Sequence, residues 1–528
     1  MNLPRETEIK LIGSLEAIKA AINSSSIAPY IASSRREEIE TSYFDVKDNI
    51  LAKNGVVLRL RKQDEDLNTI SMKWVNPESA IFERYEFEVE TRDAVPQIQE
   101  LGELCNRKIV ELIGSEALEE KFRTVFTREI YSLDFEETLI EFSIDRGEII
   151  SADQRQNIEE IELELKQGDV NILYDTAINL IKKLHLTVEF CSKSQRGFAL
   201  IDPKIRKYFY QEEAIRNAPL DSEQFVASSM FLLLRHFIHH FYHFTQKSVP
   251  EDIHQMRVVL RKLRVIFSIL RKTSHNSEFD SLRAEARRIA TLLGHVRDYD
   301  VLLDLIDEGP KKILIDDGGL EPLIKEIDAR KEYALRGAWK IHEDRSAVLF
   351  LLKTQKIMSN PGFLSASFVE GESHNIKDFA VSILEKSEKK IRRRGQKIKK
   401  MNDVGRHQLR INLKKLRYIS EFFMDAFDKK AVKAYIKQIS LLQELLGAHN
   451  DLVCAEMTLR QIATSLSRQS QITVGKILGW YGHASLDKEF RLLRKWRKFS
   501  HSTPFWYIVE RQTEAVDDYA GEDFAAFE

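Results

Sequence analysis

The hydrophobic period of this chain changes once, and the change sets two different architectures on either side of it. From the start to about residue 200 the pattern is period two, in "TEIKL", "VVLRLRK", "TISMKW", "RYEFEVE", "TVFTREIYSL", "LIEFSID" and "EEIELELK". Each stretch puts charges on one face of a strand and apolar residues on the other. Helical patterns interrupt around residues 14–22, 95–112 and 169–185, which predicts an α+β domain with a mostly antiparallel sheet. After about residue 220 the period becomes 3.6 and holds to about residue 500, which predicts an all-α domain. At 528 residues the chain also exceeds the roughly 250–300 at which a single core stops growing.

Several classes are excluded early. No stretch approaches the roughly 20 apolar residues that span a bilayer, and "FVASSMFLLL" is cut short by Arg235 and His236. The N-terminus turns acidic within six residues and lacks the apolar stretch of a signal peptide. Cys105, Cys191 and Cys454 lie far apart without metal-ligand spacing, which fits reduced thiols in a cytoplasmic protein. The net charge of −2 conceals long basic helices that offset acidic strands.

The helical half repeats itself. His254, Arg257, Arg261 and Arg264 return as His407, Arg410, Lys414 and Arg417, at an offset of 153. Forty positions beyond each histidine stands a glycine, Gly294 and Gly447, followed four residues later by Asp298 and Asp451. Such spacing over separated segments predicts an internal duplication of two helical bundles.

In the first half, charges share strand faces in five places: Glu6, Glu8 and Lys10; Arg59 and Arg61; Arg84, Glu86 and Glu88; Arg128 beside Thr124 and Phe126; and Glu160, Glu162, Glu164 and Lys166. A solvated face explains any one of them, because outward charges are the rule for antiparallel sheets. The opposite faces, however, are Leu and Ile, which want a dry partner. A sheet curled into a tunnel satisfies both, with apolar residues outward beneath helices and charges lining the interior. Basic residues would then grip a polyanion, and carboxylates would hold a hard divalent cation that bridges phosphate oxygens.

These segments resemble the CYTH superfamily of triphosphate tunnel metalloenzymes, in its inorganic triphosphatase branch. The resemblance is carried by "ETEIK", "YFDVKDNILAKNGVVLRLRK", "SMKW", "RYEFE", "FRTVFTRE", "IEFSIDRGEI", "EEIELELKQG" and "SKSQRGFAL", in the family's order. It implies an eight-stranded antiparallel barrel whose tunnel binds triphosphate. By match, Lys10, Arg59, Arg61, Lys73, Arg84, Arg128 and Lys193 would contact phosphate. Glu6, Glu8, Asp145, Glu160 and Glu162 would hold Mg²⁺ or Mn²⁺, and Lys10 and Lys73 would orient or deprotonate the attacking water.

In the helical half, residues 253–272 carry six Lys or Arg and no acid, and residues 386–418 carry 14 against two acids. Uncompensated like charges repel, so their recurrence calls for an external polyanion. In "LRHFIHHFYHF", His236, His239, His240 and His243 share a face, as metal ligands or as partners of phosphates and carboxylates. "HQMRVVLRKLR" with "LLGHVRDYD", and "HQLRINLKKLRYISEF" with "LQELLGAHND", resemble the CHAD domain, the conserved-histidine α-helical domain that often follows CYTH domains. That likeness implies a basic groove for inorganic polyphosphate formed by His254, Arg257, Arg261, Arg264, His407, Arg410, Lys414 and Arg417. The second copy departs at Lys414 and Asn450, where the first has Arg261 and Arg297.

The expected organisation is a triphosphate tunnel domain over 1–203, a linker over 204–220, a helical domain over 221–503 with copies around 231–340 and 375–490, and an acidic tail over 504–528. The expected function is metal-dependent hydrolysis of tripolyphosphate, with polyphosphate as a second ligand and an association with polyphosphate granules. The alternatives are a non-catalytic polyphosphate-binding protein and a nucleotide-acting enzyme, either an adenylate cyclase or an organic triphosphatase. Nucleic acid is disfavoured, because the basic helices lack interleaved aromatics for stacking.

Overall fold

The computed structural model describes residues 4–63, 67–75, 79–152, 154–208, 222–247, 249–274, 276–314, 317–360, 362–363, 376–484 and 486–507. The expected linker beyond Tyr208 and the acidic tail beyond Tyr507 lie outside the described residues. So do the side chains of residues 273–274, 448–452 and 482–489, which include Asn450 and Asp451 of the second repeat.

The first half is an antiparallel barrel. Its strands are β1 (Arg5–Ile12), β2 (Ile31–Asp45), β3 (Val56–Lys62), β4 (Asn68–Val75), β5 (Glu83–Thr91), β6 (Glu119–Asp134), β7 (Leu139–Ser151) and β8 (Gln154–Gln167). They run β5-β4-β3-β2-β6-β7-β8-β1, and β1 returns to pair with β5, which closes eight strands into a ring. The two-residue β9 (Thr187–Val188) adds to the end of β1 at Leu11 and Ile12. Closure rests on three pairs, Arg5 with Tyr85, Glu6 with Arg84 and Thr7 with Glu83. The helices of this half are α1 (Leu15–Ala21), α2 (Ile50–Lys53), α3 (Glu103–Ile113), α4 (Val170–Leu184) and α5 (Lys193–Ile201).

Alternation decides what each face meets. On β1 the residues between the charges, Ile9 and Leu11, are fully buried. On β3 and β4, Leu58, Leu60, Ile70, Met72 and Trp74 pack beneath α3, which turns Cys105, Ile109 and Ile113 toward them. Both faces of these strands are therefore occupied, apolar under helices and charged inside. Helix α5 caps the barrel interior: Phe198 meets Phe122 edge-on at 5.1 Å. A Cβ on Gly197 would stand 2.1 Å from the Phe122 ring, so this close approach requires glycine. A capping box between Ser192 and Gln195 fixes where the helix begins.

Helices α6 (Ser222–Gln246), α7 (Pro250–Ser274), α8 (Glu278–Glu308), α9 (Pro310–Ile313), α10 (Leu320–Glu343) and α11 (Ser346–Met358) form a bundle that joins the barrel in one compact unit. That unit comprises residues 1–376 and 455–480. Against α4, Lys356 pairs with Asp175 at 2.6 Å and Gln355 accepts from the Tyr174 hydroxyl at 3.1 Å. The second unit comprises residues 377–454 and 481–528 and is helical where described. It holds α12 (Ile376–Gly395), α13 (Asp403–Phe422), the first part of α14 (Lys429–Ala463) and α16 (Leu486–Ser500), while α15 (Arg468–Ala484) lies mostly in the first unit. Its core gathers Tyr435, Phe499, Phe505 and Trp506. No described helix is long and apolar enough to cross a membrane.

The histidine stripe of α6 is largely packed rather than splayed to solvent. His240 bonds the buried Asp252 at 2.7 Å, and the His239 and His243 rings meet tilted at 51° with centroids 4.4 Å apart. Burial first, and neighbouring histidines second, push His236 and His239 down to about 4. Both rings are therefore neutral in the folded bundle, whereas an unfolded chain protonates them near about 6.5. The sign follows: this stability is complete above about pH 6.5 and is lost as pH falls toward 4. The thermal midpoint should fall on acidification across that window, and the fall should shrink in His239→Gln. Because both rings are partly exposed, solvent screening reduces the effect below the full linkage value.

Candidate active site

The barrel interior is a cavity of about 300 Å³ lined mainly by charged side chains. Glu6, Glu8 and Lys10 of β1, Arg59 and Arg61 of β3, Lys73 of β4, Arg84, Glu86 and Glu88 of β5, Arg128 of β6, and Glu162, Glu164 and Lys166 of β8 all face it. Lys193 enters from the start of α5, flanked by Ser192 and Ser194. Asp145 and Glu160 stand behind the lining, fully buried.

Cross-strand register determines who pairs with whom. Lys10 lies opposite Glu162, Arg128 opposite Asp145, Asp145 opposite Glu160, and Lys73 opposite Glu86. Accordingly Lys10 donates to Glu162 at 2.6 Å and contacts Glu8. Lys73 bridges Glu6 at 2.6 Å and Glu86 at 2.8 Å. Arg59 bonds Ser71 at 2.7 Å, Glu86 at 3.0 Å and Glu88 at 3.2 Å. Arg128 makes a bidentate contact with Asp145 at 2.7 and 2.6 Å and reaches Glu162.

The deepest cluster is acidic. Asp145, Glu160 and Glu162 each offer an oxygen within 4.8 Å of the others, a donor set of hard ligands that suits a divalent cation of the Mg²⁺ or Mn²⁺ kind. The Lys193 ammonium stands among them, 2.6 Å from Asp145, 2.5 Å from Glu160 and 2.7 Å from Glu162. A cation on these oxygens therefore competes with Lys193. Glu6 stands apart from this triad, engaged by Lys73. Glu8 extends the donor set to the lining: its carboxyl shares a hydrogen bond with Glu162, and burial together with the Glu162 charge pushes it up to about 8. Glu162 moves the other way. Burial opposes its ionisation, but Lys10, Lys193 and Arg128 outweigh burial and hold it well below the usual carboxylate range. Two adjacent carboxyls thus differ, one holding a proton and one charged. Lys10 is held above its ordinary value, since Glu162 and Glu8 overcome the burial that lowers it. Its ammonium form is thereby favoured.

Two arginines are different. Arg61 faces Thr41 on one side and Thr69 on the other, so no acid lies opposite it, and its Nε is buried without a partner among the described residues. Burial, then Arg59 and Arg128, lower its affinity for a proton. Arg84 likewise has no hydrogen bond or ion pair from its side chain among the described residues. Neither of these tunnel cations has an acidic partner among the described residues. Sequence patterns do not single out Arg35, Tyr43 or Glu141 of the lining, nor Arg196, which bonds Glu160 from α5.

Family models match at both ends: a CYTH domain over residues 4–197 and a CHAD domain over residues 230–460. The chain joins a CYTH domain to a CHAD domain. It is similar to an inorganic triphosphatase of Haemophilus influenzae, 31% identical over 160 residues, 30% of this chain and 45% of that relative. The match thus spans less than half of that relative's length. Among solved structures it is similar to the CHAD domain of Ricinus communis, 24% identical, covering 56% of this chain and 96% of that one with a TM-score of 0.45. It is also similar to a Hippeastrum protein described by its dominant triphosphatase activity, 19% identical, covering 35% of this chain and 91% of that one with a TM-score of 0.25. The eight-stranded barrel is the CYTH domain, and its carboxylate cluster is where a member of a metalloenzyme family would hold its ion.

The CHAD domain carries basic clusters in each unit. On α7 and α8, Arg257, Arg261 and Arg264 line a cavity of about 260 Å³ with Thr291, Gly294, His295 and Asp298. Arg257 donates to the Ala290 carbonyl at 2.7 Å, and its guanidinium lies where a Cβ of Gly294 would be. In the second unit the Arg410 guanidinium lies over Gly447 in the same way, with a hypothetical Cβ at 3.1 Å. The repeated glycine is thus a seat for the repeated arginine. Burial, then Arg283, Arg287 and Arg261, lower Arg264, and burial with Arg297 lowers His254. Arg417 pairs with Glu421 at 3.3 Å, and His407 and Lys414 share its helix, α13.

Proposed function

We propose that the CYTH domain hydrolyses inorganic triphosphate to diphosphate and phosphate, and that the CHAD domain binds inorganic polyphosphate. What carries this reading is the division of labour among tunnel cations. Most are engaged by carboxylates, whereas Arg61 and Arg84 have none among the described residues and face a cavity suited to an anion. The similarity to an inorganic triphosphatase supports the substrate class.

Arg61 and Arg84 would bind phosphate oxygens, with Arg59 and Arg128 available for bidentate contacts once substrate competes for them. Glu6, Glu8, Asp145, Glu160 and Glu162 would hold Mg²⁺, or Mn²⁺ in its place, which when bound supplies charge neutralisation at the phosphate oxygens. Lys10 and Lys73, both anchored by carboxylates, would orient a water against the terminal phosphorus. That water's oxygen forms the new P–O bond as the bridging P–O bond breaks, and diphosphate leaves with its freed oxygen taking up the proton the water gives up. Buried walls exclude other water and strengthen each charge contact. In the CHAD domain, the arginines around Gly294 would hold polyphosphate, which would place the protein in the cytoplasm at polyphosphate granules.

Phosphate release with Mg²⁺ tests the reading, with tripolyphosphate, ATP, thiamine triphosphate and long-chain polyphosphate offered separately and Glu8→Gln as control. Tripolyphosphate should be cleaved fastest and the variant should be inactive. Equal rates on ATP would move the assignment to nucleotides, and binding of polyphosphate with no hydrolysis at all would leave a binding protein. Arg257→Ala should weaken polyphosphate binding without changing tripolyphosphate turnover.

A further inference from the structure

The short seam that closes the barrel is held from outside by the CHAD helices. Just before β5, the Ser79 carbonyl accepts from both terminal nitrogens of Arg235, at 3.4 and 3.2 Å, and the Ala80 carbonyl accepts at 3.4 Å. The Ile81 amide donates to Gln355 at 3.1 Å, and the Phe82 carbonyl accepts from the Glu8 amide at 3.0 Å. Arg235, on α6, is thereby brought to the strand that bears Glu6, Glu8 and Lys10.

Arg235 does more than hold this loop. It is only 5% exposed, and it lines a small side cavity that shares Glu6, Glu8, Lys10 and Arg84 with the tunnel. A second cavity, of about 200 Å³, again brings Arg235 together with Arg84, and with Lys73 and Ser194 of the tunnel wall. Burial and the like charge of Arg84 push Arg235 down to about 10, against the charge of Glu83, which is itself engaged by Arg5 at 2.9 Å. Arg84 and Arg235 thus line the same two cavities, both of which also reach residues of the tunnel wall.

We propose that Arg235 is a phosphate-binding residue of the tunnel: with Arg84 it forms a two-guanidinium subsite for one phosphoryl group, so the CHAD domain supplies a side chain to the CYTH active site. This rests on the triphosphatase reading above. It makes α6 a specificity element, because a subsite at this end favours an unesterified phosphoryl group that can accept two forks.

The test uses full-length protein, with tripolyphosphate as the probe. Steady-state hydrolysis is measured for wild type, Arg235→Gln, Arg235→Lys and Gln355→Leu, and metal-free tripolyphosphate binding is measured by calorimetry. Arg235→Gln should raise KM about tenfold or more with kcat within about twofold, and should weaken calorimetric binding in parallel. Arg235→Lys, which keeps the charge without the fork, should fall between, and it serves if the Gln variant does not fold. Gln355→Leu removes a loop anchor that does not line the cavity, so it should lower the thermal midpoint and leave KM unchanged. Unchanged KM and affinity in Arg235→Gln overturn the proposal, as does an equal KM change in Gln355→Leu, which would make Arg235 an anchor only. A wild type that binds tripolyphosphate without hydrolysing it would sink the triphosphatase reading but not the subsite, which the calorimetry still reads. A wild type that does neither overturns both.

Discussion

Glu162→Gln should lower kcat/KM for tripolyphosphate by about 10³-fold or more, the scale of losing a ligand and charge in a preorganised site. Glu162 is the residue on which the buried cluster converges: Lys10, Arg128 and Lys193 all reach it, and it stands in the acidic triad. The amide removes a hard oxygen anion and leaves three cations facing one another. Breaking a buried pair commonly costs about 3–5 kcal/mol. Here the loss should be smaller, because Glu8 can ionise once its neighbour's charge is gone. Glu8→Gln is the informative contrast. Below about pH 8 the Glu8 carboxyl already holds a proton, so the amide mimics it and the thermal midpoint should hardly move. Activity should nevertheless fall, since a protonated acid can release its proton to a cation and an amide cannot. Thermal unfolding and phosphate release on both variants check this. Equal destabilisation by the two substitutions would contradict the assignment of the proton to Glu8.

The fold is legible in the sequence where period two and burial coincide. In "ETEIK" the intervening Ile9 is fully buried, so the charges turn inward. β2 is not legible, although at 15 residues it is among the longest strands, because Ser33 to Glu38 are exposed and the pattern there has no apolar alternate. Helix α5 is hidden as well, because its nine residues are placed by a capping box and by Gly197 against Phe122, a contact between distant segments. The site is legible as a set of inward residues but not as a network. Which cations are occupied depends on strand register, and a single-residue slip would exchange every partner. In sequence Arg235 reads only as a polar interruption of an apolar stretch, since nothing local announces that α6 will lie beside the β4–β5 connection.

Arg61→Gln should separate binding from stability. Its cross-strand neighbours are Thr41 and Thr69, and burial with the charges of Arg59 and Arg128 outweighs the weaker pull of Tyr43 and Glu88. The folded protein therefore bears the cost of burying that charge. Removing it should raise the thermal midpoint, by about 2–4 °C for each kcal/mol recovered in a domain of about 200 residues. The same substitution should raise KM for tripolyphosphate about 100-fold, because a charge-assisted bidentate contact contributes about 1.5–3 kcal/mol and the loss of a buried charge adds to it. Arg59→Gln should behave oppositely in the absence of ligand: it strands Glu88 and leaves Glu86 to Lys73 alone, so the midpoint should fall. Ligand reverses the ranking. A ligand that binds only the folded state stabilises it in proportion to the logarithm of its concentration over Kd. With tripolyphosphate in excess, wild type should gain several degrees and overtake Arg61→Gln, whose gain is small. If Arg61→Gln melts below wild type without ligand, Arg61 has a structural partner and its reservation for the substrate is wrong. If it melts higher and still gains as much from tripolyphosphate as wild type, the tunnel holds the anion elsewhere.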